Sequence, residues 1–261
     1  MHGVLTQREW SKKRDTARLR LGTSHIPLHT WGQIIGEGAF QGFLRLEQVE
    51  KNILLRGRSP ENIKSQLINL DKVNVKRGNN IVLEQISLCF TSGEWVLLCG
   101  PSGAGKSSLL RLIGGLDNPE QGTMTRLGLS IYPNTSLRDR LDGRIALLVQ
   151  NPEHHFIAST VAEDIIWGLR QRGVSKKEAQ QSCTEIAESL GITHLLERPC
   201  HELSFGEQRR VALAGILVLN PSVLLLDEPT SGLDPVAAYE LRLLIEKVIQ
   251  KRDDKLTGCI R

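Results

Sequence analysis

The part of the sequence best suited to chemistry is a glycine-rich run between an apolar segment and a helix-forming one. Its glycines let the backbone turn without a Cβ clash, so that successive N–H groups can face phosphate oxygens. Lys106 would reach the β and γ phosphates of a nucleotide, and the Ser107 hydroxyl would ligate Mg²⁺. This pattern is a Walker A loop, and its predicted ligand is a nucleotide with magnesium. Its residues are Gly100, Pro101, Ser102, Gly103, Ala104, Gly105, Lys106, Ser107 and Ser108.

A second chemical pattern is the acidic pair that follows the apolar residues 223–226. Four consecutive apolar residues predict a central parallel strand, and ligands of such sheets bind at the carboxyl ends of the strands. Asp227 is placed to hold Mg²⁺ through water, and Glu228 to polarise the water that attacks the γ phosphate. A buried strand with capping carboxylates is the structural alternative, but it would not account for the Walker A loop earlier in the chain.

The composition is that of an ordinary globular protein, with 261 residues, 40% hydrophobic and 24% charged. That length gives one large domain or one domain with an appendage. The longest apolar region, 211–226, is interrupted by Asn220 and Pro221, so no transmembrane helix is predicted. The five cysteines show no metal-ligand or redox spacing and are interpreted as reduced thiols.

The charge is unevenly distributed along the chain. Residues 1–66 carry 11 Lys and Arg against 6 Asp and Glu, a net charge of +5, whereas the remaining residues carry 22 against 23. Either contact with an anionic surface or a solvated basic extension would account for this excess. We predict that 1–66 is a partly helical N-terminal extension of unknown role. One predicted helix rests on the spacing of Phe43, Leu46, Val49 and Ile53, and a second begins at Ser59 and Pro60 and runs through Ile68.

The predicted nucleotide-binding domain covers 67–261. Residues 70–75 and 81–90 flank the turn 77–80 and predict an antiparallel pair of strands, and 122–131 and 144–149 predict further strands. Residues 153–217 lose β character and predict a helical subdomain, with 174–190 its clearest helix. The predicted fold is therefore α/β, with an antiparallel β subdomain and a helical subdomain.

Two more motifs lie on either side of the acidic pair Asp227 and Glu228. The sequence Leu-Ser-Phe-Gly-Glu-Gln-Arg-Arg occupies 203–210, and Ser-Gly-Leu-Asp-Pro occupies 231–235. With these motifs, the chain from about residue 67 resembles the nucleotide-binding subunit of an ABC transporter, a P-loop NTPase. Short stretches from Gln150 and from Arg209 are most similar to the ATPases of energy-coupling-factor importers, which take up vitamins, cobalt or nickel ions.

The resemblance assigns further site residues. It implies that Gln150 is a Q-loop residue with catalytic and magnesium-binding roles, and that Asp234 belongs to the D-loop. It also implies a signature motif that acts on the ATP of a partner subunit. The signature residues are Ser204, Phe205, Gly206, Glu207 and Gln208.

The resemblance also implies an assembly. Two such subunits, identical or different, would form a head-to-tail dimer with two ATP molecules between them. Hydrolysis would open the dimer, and the region of Gln150 would pass the movement to integral membrane subunits. The chain would then be a peripheral protein on the cytoplasmic face of a membrane, with no nucleic acid partner expected.

Three departures from the family pattern affect these expectations. Arg77 stands where an aromatic residue usually stacks on adenine, although a guanidinium plane can also stack on a base. Phe205 replaces a glycine of the signature. A final strand with a histidine that contacts the γ phosphate is expected to be missing, since the sequence stops at Arg261. Weak ATP turnover beside a complete partner, or a truncated reading of a longer gene, would each produce this ending.

Two other functions remain open at this stage. A soluble ABC-type ATPase that acts on nucleic acid or ribosomes would be compatible with the basic leader. A hydrolysis-deficient ATP-binding partner subunit would be compatible with the missing histidine. The resemblance to transporter ATPases implies that selectivity for the transported substrate belongs to the membrane partners.

Overall fold

The computed structural model describes residues 66–93, 95–100, 102–151, 156–250 and 257–260, together with the backbone of 40–45. It divides the chain into two compact units, the first formed by residues 1–142 and 257–261 and the second by 143–256. None of the helices among the described residues is both long and apolar enough to span a bilayer.

One sheet of the first unit is antiparallel. Strands β2 (Gln66–Arg77) and β3 (Asn80–Thr91) form a hairpin around Gly78, whose positive φ of 58° suits the turn. Strands β5 (Gln121–Arg126) and β6 (Leu129–Ile131) complete the sheet, in which the strand order is β3-β2-β5-β6. The predicted antiparallel pair around residues 77–80 is confirmed.

A parallel set of strands in the same unit is centred on β4 (Trp95–Cys99). Strands β1 (Phe40–Arg45) and β9 (Thr257–Ile260) both pair with it in parallel. Val96, Leu97 and Leu98 are all buried, as expected for a strand covered on both faces. After β4 the chain turns and enters helix α1 (Lys106–Gly114), which confirms the predicted strand, loop and helix around the Walker A loop.

The helices predicted in the N-terminal extension are wrong where the structure describes them. Phe43 and Leu44 lie in strand β1, and Ile68 is buried in strand β2. A short apolar run fits both periods, and strand pairing decides between them by satisfying backbone hydrogen bonds, with β4 for 40–45 and with β3 and β5 for Ile68. The remainder of both predicted helices, within 46–65, lies outside the described residues.

A final strand is present, contrary to expectation, although none of its four residues is the expected histidine. Residues Thr257–Ile260 form β9, in which Gly258 lies opposite Trp95 and Cys259 opposite Val96. Four residues are too few for a sequence signal, but they suffice for pairing when a neighbouring strand offers its unpaired edge.

Arg126 is a buried cation that joins the ends of two helices in the first unit. Its side chain is fully buried, and burial lowers its pKa. Nη1 donates to the carbonyl of Ile113 in α1 at 2.6 Å, and Nη2 donates to the carbonyl of Arg140, the last residue of α2 (Leu137–Arg140). The last carbonyls of a helix have no intrahelical partner, so a cation stabilises them. Arg126 therefore fixes the end of the helix that begins at the Walker A lysine.

The described residues of the second unit include a parallel strand pair and four α-helices. Strands β7 (Ile145–Leu148) and β8 (Val223–Leu226) pair in parallel from Ile145 opposite Val223 to Leu148 opposite Leu226. The helices are α3 (Val161–Gln171), α4 (Lys176–Leu190), α5 (Phe205–Leu217) and α6 (Pro235–Gln250). The helical character predicted within 153–217 is confirmed from Val161 onward.

Capping boxes fix where three of these helices begin. The pairs are Thr160 with Glu163, Ser175 with Glu178, and Ser204 with Glu207. In each pair the hydroxyl oxygen accepts from the backbone N–H three residues later, and the glutamate accepts from the backbone N–H of the capping residue. The starts of α3, α4 and α5 are therefore encoded locally.

Replacing Arg126 by Met should destabilise the protein by about 2–4 kcal/mol, since two carbonyl partners lose charge-assisted hydrogen bonds inside the protein. Urea unfolding followed by circular dichroism would measure the change. Arg138→Met, at an exposed residue of α2, is the matched control and should cost less than about 0.5 kcal/mol. Equal unfolding free energies for the two variants would contradict the role of Arg126.

Two buried cysteines in the second unit should resist alkylation. Burial raises the pKa of Cys183 to about 11, and burial together with the nearby Asp164 and Glu163 raises that of Cys200 to about 11. The thiolate is the reactive form, so at pH 8 both should label at least about 100-fold more slowly than in the urea-unfolded chain. Iodoacetamide labelling read by mass spectrometry would test this, and rates as fast as that of the partly exposed Cys89 would refute it.

Candidate functional site

The loop between β4 and α1 has the conformation that its glycines predict. Gly103 and Gly105 adopt φ values of 80° and 87°, in the left-handed region that favours glycine. At Gly105 a side chain is also excluded by space, because a Cβ there would lie 2.7 Å from the carbonyl oxygen of Val82 on β3. The antiparallel sheet therefore contacts the loop where α1 begins. Pro101 lies outside the described residues.

Lys106 is buried at the amino end of α1. Its side chain is 7% exposed, and Nζ donates to the carbonyl of Gly100 at 2.8 Å. The first N–H groups of a helix make no intrahelical hydrogen bond, and the helix dipole places positive charge at this end. The first turn of α1 contains no acidic residue that would neutralise it. A buried amine, helix N–H groups and a turned backbone together form a site that favours an anion.

Ser107 and Ser108 occupy the first turn of the same helix. Ser107 is half-buried and Ser108 is buried. Ala104 is also buried, whereas Ser102 and Gly103 are exposed at the mouth of the loop. The described residues of the predicted Walker A loop thus lie in one strand-to-helix connection.

Arg77, the residue predicted to stack on adenine, belongs to a charged cluster. Its Nη2 donates to Asp117 Oδ2 at 3.2 Å, and Arg111 of α1 donates to both carboxylate oxygens, at 3.0 and 2.9 Å. Burial opposes ionisation of Asp117, but hydrogen bonds from Arg111 and Arg77 keep its pKa low. About half of the Arg77 side chain stays exposed, so its stacking on a base remains a prediction.

Gln150 and Glu228 are brought together in the second unit. Each stands two residues beyond the end of its strand, Gln150 after β7 and Glu228 after β8. Because the two strands are parallel, their carboxyl ends are neighbours, and Gln150 Nε2 donates to Glu228 Oε2 at 2.8 Å. Glu228 has a positive φ of 49°, an uncommon conformation for a residue other than glycine, and such strain is concentrated at functional sites.

Asp227 lies between strand β8 and Glu228. Its backbone N–H donates to the carbonyl of Leu148 at 2.9 Å, which extends the β7–β8 ladder by one residue. The side chain is 7% exposed. This burial at the end of the strand fits the role of a metal ligand better than that of a capping carboxylate on the surface.

The signature residues surround the start of α5. Ser204 is its N-cap, and its hydroxyl and backbone N–H both donate to Glu207 Oε2, at 2.7 and 2.8 Å. These hydrogen bonds from Ser204 lower the pKa of Glu207. Gln208 instead donates from Nε2 to the carbonyl of Leu203 at 3.1 Å.

A cavity of about 440 Å³ connects the signature to the D-loop. Ser204, Phe205, Gly206 and Glu207 line it together with Asp234, whereas Gln208 does not. Asp234 Oδ1 accepts from the N–H groups of Val236 and Ala237, at 3.0 and 3.1 Å, and so caps α6. The structure therefore places four of the five predicted signature residues and the D-loop aspartate around one space.

Two charged residues of the second unit were missed as site residues by the sequence reasoning. Asp164 accepts at Oδ1 from the N–H groups of Ile157 and Ala158, at 2.7 and 3.1 Å, and burial raises its pKa. It holds the segment that follows the Gln150 region, and no sequence signal identifies it. Arg209 is fully buried behind the signature. Its position four residues after Phe205 was a usable signal, since residues at that spacing lie on one face of a helix.

Comparison with known proteins agrees with this geometry. The family model described as ABC transporter matches residues 83–231. The energy-coupling factor transporter ATP-binding protein EcfA1 of Halalkalibacterium halodurans is 42% identical over 154 residues, which cover 59% of this chain and 55% of that protein. The chain thus spans about half the length of this relative.

Two solved structures resemble the fold. The cbiO1 protein of Clostridium perfringens, described as part of the ABC transporter complex cbiONQ, gives a TM-score of 0.65 at 29% identity and covers 75% of this chain and 77% of its own. The ATP-binding cassette MJ0796, in a dimeric post-hydrolysis state bound to ADP and Pi, gives 0.64 at 26% identity, with coverages of 74% and 87%. The α/β P-loop fold of ABC type is thereby confirmed, and the chain belongs to the ABC transporter family.

Proposed function

We propose that this chain binds and hydrolyses ATP and so powers a membrane transporter, of the energy-coupling-factor uptake type. The observation that carries the proposal is the buried Lys106, held by the Gly100 carbonyl at the amino end of α1. Such a site is suited to phosphate groups. Relatives named as energy-coupling factor ATP-binding proteins support the narrower assignment.

The Walker A loop would hold the triphosphate of ATP. The N–H groups of 102–108 would surround the phosphates, and Lys106 would exchange its contact with the Gly100 carbonyl for the β and γ oxygens. The exposed face of Arg77 would stack on the base while its edge stays paired with Asp117.

The residues proposed as magnesium ligands are Ser107, Gln150 and Asp227. A hydroxyl, an amide oxygen and a carboxylate are the hard oxygen donors that this ion accepts. Gln150 fits the role because its amide nitrogen is engaged with Glu228, so its carbonyl oxygen is the atom for a cation. When bound, the ion would neutralise charge on the phosphates.

Glu228 would act as general base toward the attacking water. The hydrogen bond from Gln150 limits the orientations of its carboxylate, and the positive φ of Glu228 fixes where the side chain leaves the backbone. The second unit thus supplies a pre-oriented base at the end of a buried strand, which is the preorganisation that proton transfer requires.

The partners that we propose are a second ATPase subunit and integral membrane subunits. Ser204 and Gly206, at the amino end of α5, would receive the γ phosphate of ATP bound by the other subunit. The dimer reported for MJ0796 and the complex reported for cbiO1 support this arrangement. The chain would then act as a peripheral protein on the cytoplasmic face of the membrane.

Replacing Lys106 by Ala should abolish measurable MgATP binding, because the phosphates lose their buried cation. We expect the wild-type chain to gain thermal stability with MgATP and the variant to gain none, with the two unfolding temperatures equal without nucleotide to within about 4 °C. Lys177→Ala, at an exposed residue of α4, is the control and should bind as the wild type does. Equal protection of the Lys106 variant by MgATP would refute the proposal.

Replacing Glu228 by Gln should lower the rate of ATP hydrolysis by at least about 100-fold while leaving MgATP affinity within about twofold, since the amide cannot accept a proton. Phosphate release and binding of a fluorescent ATP analogue would measure the two effects. Because the γ phosphate persists, the variant with MgATP should also accumulate as a dimer in light scattering. Glu188→Gln on α4 is the matched control, and a rate loss shared by both variants would argue against a catalytic role for Glu228.

A further inference from the structure

Arg209 has a fully buried guanidinium, and a buried charge of this kind needs compensating contacts. It lies in the second turn of α5, and its Nη2 donates to the backbone carbonyl of Ser231 at 3.0 Å. Ser231 belongs to the segment that leads into the D-loop aspartate. One side chain of the signature helix therefore holds the backbone of the D-loop.

Phe205 completes the connection from the same face of α5. The Arg209 guanidinium carbon lies 5.1 Å from the centre of the Phe205 ring, within the range of a cation–π interaction. The ring in turn covers Gly232, where an added Cβ would lie only 3.0 Å from its Cε1 atom. Gly232 has a φ of 76°, so glycine is favoured there by its backbone as well. The aromatic residue at a usual glycine position thus fills the space between signature and D-loop.

The contacts between α5 and the D-loop segment lie beside two predicted functional residues. Ser204 precedes Phe205 directly, and Asp234 follows Gly232 by two residues. Ser204, Phe205, Gly232 and Asp234 all line the cavity of about 440 Å³. A shift of the D-loop segment relative to α5 would therefore change the spacing of Ser204 and Asp234 across that cavity.

We propose that Arg209 is a positioning residue, which together with Phe205 locks the D-loop to the signature helix so that Ser204 and Asp234 meet the partner subunit's nucleotide at a fixed spacing. The proposal rests on the proposed ATPase function. It differs from a role in ATP binding by the same subunit, since neither Arg209 nor Phe205 is among the residues proposed to hold the nucleotide of their own chain. The contacts of Arg209 with Ser231 and Phe205 are therefore expected to affect turnover by the assembled dimer. The affinity of the single chain for MgATP is expected to be independent of them.

The test compares Arg209→Met with Arg209→Lys in the full chain. Met keeps the apolar stem and removes the donor, and we expect kcat for ATP to fall about tenfold while Kd for MgATP, measured on the dilute chain, stays within about twofold. Lys restores one charged donor and should recover part of kcat. Arg170→Met is the matched control, because Arg170 also donates to a backbone carbonyl, that of Val174, but far from the signature in sequence. It should keep kcat within about twofold.

Phe205→Leu provides a second, milder variant that removes the ring above the guanidinium but keeps an apolar side chain. It should lower kcat about threefold with unchanged Kd for MgATP, and should do so even if Arg209→Met fails to fold. Light scattering at saturating MgATP should show weaker dimerisation of both variants than of Arg170→Met.

The possible failures are distinct. If Arg209→Met and Phe205→Leu keep the kcat of the control, or if kcat and MgATP affinity fall together, the positioning role is refuted. If the wild-type chain itself fails to bind MgATP, the proposed function fails, and the role of Arg209 fails with it.

Discussion

The feature on which the site depends is a protonated amine buried at the positive end of a helix. Lys106 would be costly there without compensation, because both the low dielectric and the dipole of α1 oppose its charge. The Gly100 carbonyl accepts from the amine at 2.8 Å, and the glycine conformations at 103 and 105 make the turn that brings that carbonyl into reach. An anion bound in the same loop would lower the cost further. The loop conformation and the proposed affinity for phosphate thus have one physical origin.

The surrounding structure holds the ends of that helix in place. At its start, the absence of a side chain at Gly105 lets the backbone of β3 approach closely. At its other end, Arg126 donates to the Ile113 carbonyl, and Arg111 is paired with Asp117. The planar guanidinium makes several hydrogen bonds with fixed geometry, so arginine suits such joints better than lysine does. Arg209 uses the same chemistry in the second unit, where its acceptor is a loop carbonyl.

Parallel strand pairing explains why Gln150 and Glu228 meet in the second unit. Gln150 and Glu228 are 78 residues apart in sequence, yet they hydrogen-bond because β7 and β8 end side by side. The ladder continues for one residue beyond β8 through the Asp227 N–H group, which fixes the backbone from which both carboxylates project. A carboxylate whose orientation is set before the substrate arrives is suited to the general-base role proposed for Glu228.

The sequence by itself determined the elements whose signals are local. Glycine spacing in the Walker A loop, serine or threonine followed by glutamate at helix starts, and four apolar residues before Asp227 each act within a few residues, so they could be read without a fold. Tertiary structure alone decided that 40–45 and Thr257–Ile260 are strands, since pairing with β4 supplies their hydrogen bonds. It alone placed Arg209 against Ser231 and Gln150 against Glu228. Those contacts join residues distant in the chain, and only packing determines which distant groups meet.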